Sequence, residues 1–183
     1  MSEDQLVRHG APTLAGIKTG SLFNCEYTSK ADLLRQAAAY DRMLAPRGLR
    51  LITLRFMKSR ALLYLYRPRS LARDLTDPET RSLLREAGYT DLSLGGCLRE
   101  LKFRLRADRD FPHEIGLFLG YPTEDVRGFI RTGGKNCKCA GMWKVYGDEA
   151  AAKRRFTAYA KCTETYCRSC AGGMPLVRLA VEI

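Results

Sequence analysis

Cys137-Lys138-Cys139 precedes the single tryptophan, and Cys162, Cys167 and Cys170 close a long alanine-rich stretch, so five thiols fall within 34 residues. Four thiolates can hold zinc tetrahedrally, and the same donors can hold an iron–sulfur cluster. The spacing is one C-x-C and one C-x-x-C rather than two C-x-x-C pairs. Cys162 and Cys167 are five residues apart, an imperfect same-face spacing on a helix. A metal site therefore requires the helix to end between them and the Cys137–Cys139 turn to meet it. Lys135, Lys138, Lys161 and Arg168 would offset the surplus negative charge of four thiolates. Without a metal, the same cations would make the thiols acidic and prone to oxidation. The alternative is that these cysteines act as small buried apolar side chains.

The second group with chemical potential is His113, Glu114 and Cys25, with His9 and Lys18 as further members. A thiolate beside an imidazole is a competent nucleophile, and a carboxylate can orient or share the proton. Nothing in the spacing brings these residues together. His113 stands at the expected start of a helix, where the dipole favours a neutral imidazole that could act as a base or ligand. It could equally do no more than hydrogen-bond at the helix end. No phosphate-binding glycine loop, G-x-S-x-G or H-E-x-x-H occurs, so catalysis is left open.

A third group is basic. Arg99, Lys102, Arg106 and Arg109 recur at i, i+3, i+7 and i+10, opposite Leu94, Leu98, Leu101 and Leu105. With Lys18, this stripe is a candidate for a small anionic ligand or an acidic protein partner, or it is the solvated side of an amphipathic helix. The chain carries a net charge of +11, with 22 arginines and 9 lysines. That field attracts anions without specifying which. Aromatic residues that would stack single-stranded bases are not interleaved with the stripe, so nucleic acid is the weakest of the partner classes.

The elements that must position these residues follow from pattern. "APTLAGIKTGSLFNCEY" reads as a strand interrupted by Gly16 and Gly20. "TSKADLLRQAAAYDRML" is a helix capped by Ser29, stopped by "APRG". Leu49–Phe56 and Arg60–Arg67 form a hairpin across Lys58-Ser59. "TDPET" starts a helix at Asp77 and Pro78 that ends at Gly88, and the leucine helix over 94–109 follows. "DFPHEIGLFLGYPTEDVRGFI" divides into two short helices at a Gly-Tyr-Pro corner, with Asp110 and Pro122 at their starts. It is not a DNA-binding helix-turn-helix, because Glu124 and Asp125 occupy the end that would meet phosphates. A short strand over Met142–Tyr146, a helix capped by Asp148 and a final strand in "MPLVRLAVEI" complete the chain. Leu63, Leu65, Ile52, Val177 and Leu179 are the expected sheet core.

This order gives a single α+β domain over 1–183, with a mixed or mainly antiparallel sheet, helices mostly on one face, and a helical subdomain at about 70–133 as an option. At 45% hydrophobic residues the chain can build a real core. No apolar run reaches the ~18 residues of a spanning helix, the N-terminus is polar, and seven cysteines argue for reduced thiols. A cytoplasmic location is expected.

Several long motifs also carry a resemblance. "FPHEIGLFLGYPTEDVRGFI", "GGKN", "GMWKVYGD" and "KCTETY", with "HGAPTLAGIK" and "YRPRSLARDLTDPETRSLLREAGY", resemble the signature of a bacterial domain-of-unknown-function family. Gly95-Gly96 and the late Cys167-x-x-Cys170 depart from its pattern. The resemblance spans nearly the whole chain and implies one compact bacterial cytoplasmic domain. It brings no activity, cofactor or site residue.

Overall fold

The computed structural model describes residues 1–107 and 111–182; Arg109 of the basic stripe and the expected cap Asp110 lie outside the described residues. The fold is α+β with small antiparallel sheets. Two compact units divide it, Met1–Arg69 with Tyr159–Ile183, and Ser70–Ala158. Among the described residues no helix is long and apolar enough to cross a membrane.

The first unit opens with helix α1, Glu3–Leu14, where a strand was expected from Ala11 onward. Ser2 caps it by accepting the Gln5 N–H at 3.2 Å, and Glu3 and Asp4 occupy the first turn, where the dipole favours acids. Leu6, Val7, Gly10, Ala11 and Leu14 are buried at helical spacing. Gly16, at φ 78°, is the left-handed residue that stops this helix rather than a break in a strand. Strand β1, Gly20–Glu26, begins only after that turn.

Helix α2, Lys30–Leu44, matches its expectation, with Ser29 accepting the Asp32 N–H. Strands β2, Arg50–Phe56, and β3, Arg60–Tyr66, form the expected hairpin, bulged at Leu54. Antiparallel β1 flanks β3 on the other side, giving the order β1-β3-β2. Leu63 and Leu65 on β3 join Leu6, Phe23, Leu33 and Leu51 in one apolar cluster. Ile52, expected in that core, is only half-buried.

The expected C-terminal strand does not form. Leu176–Leu179 is one helical turn, numbered α9 in chain order. Its buried residues Leu176, Leu179 and Ala180 are spaced i, i+3, i+4, while Val177 is half-buried. This segment is held by Arg67, which is 1% exposed. The guanidinium Nε donates to Thr13 O at 2.8 Å, and Nη2 donates to Leu14 O and Val181 O, each at 2.7 Å. Nη1 reaches Arg47 O at 3.3 Å. A cation on the last carbonyls of α1 sits at the negative end of that helix's dipole.

The second unit begins within α3, Pro68–Asp74, a helix that the sequence reading did not anticipate. Helix α4, Pro78–Glu86, starts at Asp77, whose carboxylate accepts the Thr80 N–H at 2.8 Å. Helix α5, Leu94–Ala107, buries Cys97, Leu101 and Leu105, with Leu94 and Leu98 at the half-buried margin. Helices α6, Ile115–Phe118, and α7, Thr123–Thr132, meet at the expected corner, where Gly120 takes φ 74°. Strands β4, Cys139–Ala140, and β5, Lys144–Val145, make a two-stranded hairpin. Helix α8, Glu149–Ala171, then runs unbroken through Cys162, Cys167 and Cys170, so the helix end required between Cys162 and Cys167 is not there.

Candidate ligand-binding pocket

The β4–β5 hairpin turns on Gly141, whose N–H donates to Trp143 O at 3.0 Å. That tight turn leaves Met142 exposed and directs Trp143 inward, where it is 8% exposed. Asp125, in the first turn of α7, fixes the indole. Its Oδ2 accepts the Trp143 Nε1–H at 2.7 Å, and its Oδ1 accepts the backbone N–H groups of Tyr146 and Gly147 at 2.7 and 2.8 Å. The carboxylate is itself buried, so three N–H donors aimed at it replace the water it has lost.

Trp143 stacks on Tyr121 with ring centroids 4.6 Å apart at 26°, and Phe156 meets it edge-on at 4.5 Å. Tyr121 reaches it because the α6–α7 corner closes on Gly116, where an added Cβ would lie 2.8 Å from Val126 Cγ2. Phe129 on α7 carries His113 at 4.8 Å and 58°. Lys144 lies 5.8 Å from the Phe129 ring centroid and donates to Gly134 O at 2.7 Å.

His113, Tyr121, Asp125, Phe129, Trp143 and Lys144 line one cavity of about 340 Å³, with Ile115, Val126 and Met142 completing its apolar wall. This is a mostly aromatic concavity with one lysine and one imidazole among its polar groups, the ordinary composition of a small-molecule site. The sequence reading placed only His113 in it as a functional residue. In the sequence Asp125 stands out solely as a charge at a helix start.

The family described as "Protein of unknown function (DUF3793)" matches residues 6–180. The chain belongs to this family. No curated protein and no solved structure matches it.

The other candidate residues of this DUF3793 chain are dispersed. Glu114, next to His113, is buried and turned away from the cavity lining: Tyr89 Oη–H donates to its Oε1 at 3.1 Å, and Arg104 pairs with it at 3.7 Å. Burial and the neighbouring Glu114 charge raise the Tyr89 phenol, keeping it a neutral donor. Cys25 is 1% exposed in the first unit's core, with its Sγ donating toward Gln5 Oε1 at 3.5 Å. His9 stacks on Phe23 at 5.3 Å, and burial with the adjacent Arg8 lowers its pKa. On α5, Arg99 is bound to Asp91 at 2.8 Å, Lys102 is half-buried and Arg106 exposed.

All seven cysteines are free. Among the described residues no group of three or more His, Cys, Asp and Glu side chains is gathered to hold a metal. Cys137 and Cys139 flank and enter β4, half-buried. Cys167 and Cys170 pack against the first unit's apolar cluster. Cys170 is not acidified by its basic neighbours: burial and its hydrogen bond to Asp4, at 3.2 Å, push the thiol up to about 11. Burial likewise raises Cys162.

Lys18 is buried in the turn after α1, and burial pushes its ammonium down to about 8 from 10.5. The folded chain therefore releases this proton before the unfolded chain does. Between those two values the unfolded chain holds more protons, so stability rises with pH across the window. Lys18→Met is expected to flatten the rise of the urea midpoint between roughly pH 8 and 10. Identical slopes for the two proteins would contradict this.

Proposed function

We propose that this protein is a binding or accessory protein whose ligand site is the aromatic cavity built on Asp125 and Trp143. The single observation that carries the reading is the arrangement around Asp125. A buried carboxylate holds one indole through Oδ2 and the backbone just after it through Oδ1, and that indole lines a cavity of about 340 Å³. Fixing a side chain in advance lowers the entropy lost when a ligand packs on it.

The catalytic reading of His113 with Cys25 has less support. No cysteine lines the cavity, and Cys25 is enclosed in the core of the first unit. The α5 stripe is a weaker anion site because Arg99 already has a carboxylate partner. We place the protein in a bacterial cytoplasm, a location its seven unpaired thiols favour.

A fragment screen by ligand-observed NMR tests this reading. Small aromatic fragments are expected to give saturation-transfer signals with the parent protein. Those signals should vanish with Phe129→Ala and persist with Lys102→Ala and Arg106→Ala. Signals that survive Phe129→Ala and are lost with the α5 variants would move the site to the stripe.

A further inference from the structure

We infer that the cavity's ligand is a small, flat aromatic molecule bearing one anionic group. This rests on the cavity being a binding site and adds the chemistry of its occupant.

Shape is the first argument. The lining contains two ring pairs, Trp143 with Tyr121 and Phe129 with His113. Aromatic rings gain from offset-stacked or edge-to-face partners beyond the area they bury, and a puckered ring of equal size forgoes that gain. Size is the second argument. About 340 Å³ lies near the lower end of ordinary ligand cavities, which suits one or two fused rings and is too small for a dinucleotide.

Charge is the third. Electron-rich ring faces attract an ammonium ion, but here it would stand beside the Lys144 ammonium, and only a free carboxylate would offset that like charge. Asp125 is the one carboxylate in the lining, and both its oxygens are engaged by three N–H donors. Lys144 stands at the same cavity with one of its three protons committed to Gly134 O. His113 adds a second nitrogen donor in its exposed position. The charge to be met from outside is positive, so the ligand's substituent is an anion such as a carboxylate. A charge-assisted bond to Lys144 orients the ring that the aromatic walls hold.

Four probes of similar size separate the elements of this inference by isothermal titration: 2-naphthoate, 2-naphthalenemethanol, 2-naphthylmethylammonium and decahydro-2-naphthoate. The expected result is that 2-naphthoate binds at least ten times more tightly than the alcohol, the ammonium or the saturated acid. Lys144→Gln should bring 2-naphthoate down to the affinity of the alcohol, while Lys144→Arg restores most of the difference. If the alcohol or the ammonium equals 2-naphthoate, the anionic assignment fails while the cavity remains a binding site. If the saturated acid equals it, the requirement for a flat ring fails in the same way. If none of the four binds to the folded parent protein, both the ligand class and the binding reading are overturned.

Discussion

Replacing Arg67 by methionine is expected to cost the protein about 3–5 kcal/mol, read as a lower urea midpoint at unchanged slope. The side chain is 1% exposed and serves Thr13 O, Leu14 O, Val181 O and Arg47 O. Hydrogen bonds to charged donors contribute about 1.5–3 kcal/mol each, and four on one group do not add fully. Methionine matches the apolar stem and removes all four bonds, leaving Thr13 O and Leu14 O with only the backbone N–H groups of Gly16 and Val181, at 3.1 and 3.0 Å. Arg67→Lys keeps the charge but not the planar fork that reaches three separate segments, so an intermediate loss is expected. A loss below about 1 kcal/mol for the methionine variant would show that this network is not what holds the C-terminal turn to α1.

The second large effect is expected at Asp125. Asp125→Ala removes the acceptor of three N–H groups inside the second unit, and leaving buried donors unpaired costs about 1–3 kcal/mol each. A total of about 3–5 kcal/mol is expected, at the upper end for single substitutions. Asp125→Asn is the more informative change. Its amide oxygen still accepts from Tyr146 and Gly147, but its NH₂ then faces the indole N–H of Trp143, donor against donor. A smaller loss, about 2 kcal/mol, should come with a red-shifted emission from the single tryptophan as the indole loosens. Equal emission in the parent and Asp125→Asn would mean that the carboxylate does not position Trp143.

The elements legible in the sequence were those whose signals are local. Ser29 and Asp77 announced their helices, Lys58-Ser59 the hairpin, and Gly120 with Pro122 the corner, because caps and turn residues act within four positions. The misread elements were those in which two periodicities compete. Val177 and Leu179 alternate like a strand, yet Leu176, Leu179 and Ala180 fit a helix, and burial chose the helix. Gly16 could break a strand or stop a helix, and only Ser2 with Glu3 and Asp4 upstream indicated which.

The cavity was harder to see for the same reason. Asp125 belongs with Trp143, Tyr146 and Gly147, about twenty residues later, and no local pattern states that pairing. "GMWKVYGD" did hold a signal: an exposed methionine, the only tryptophan and a lysine in a row after a glycine. The cysteines drew attention by their number. In the fold the five late ones are divided between the β4–β5 hairpin with its approach and one continuous helix.

The most direct test of the account is a ¹⁵N correlation spectrum of the parent protein titrated with 2-naphthoate. The chain has one tryptophan, so a single indole N–H resonance reports on the Asp125–Trp143 pair. The account expects that resonance to shift, together with amides at 113–116, 121, 126–129 and 140–144, while those of the first unit stay in place. An unmoved indole signal with shifts along α5, or in the first unit, would contradict it.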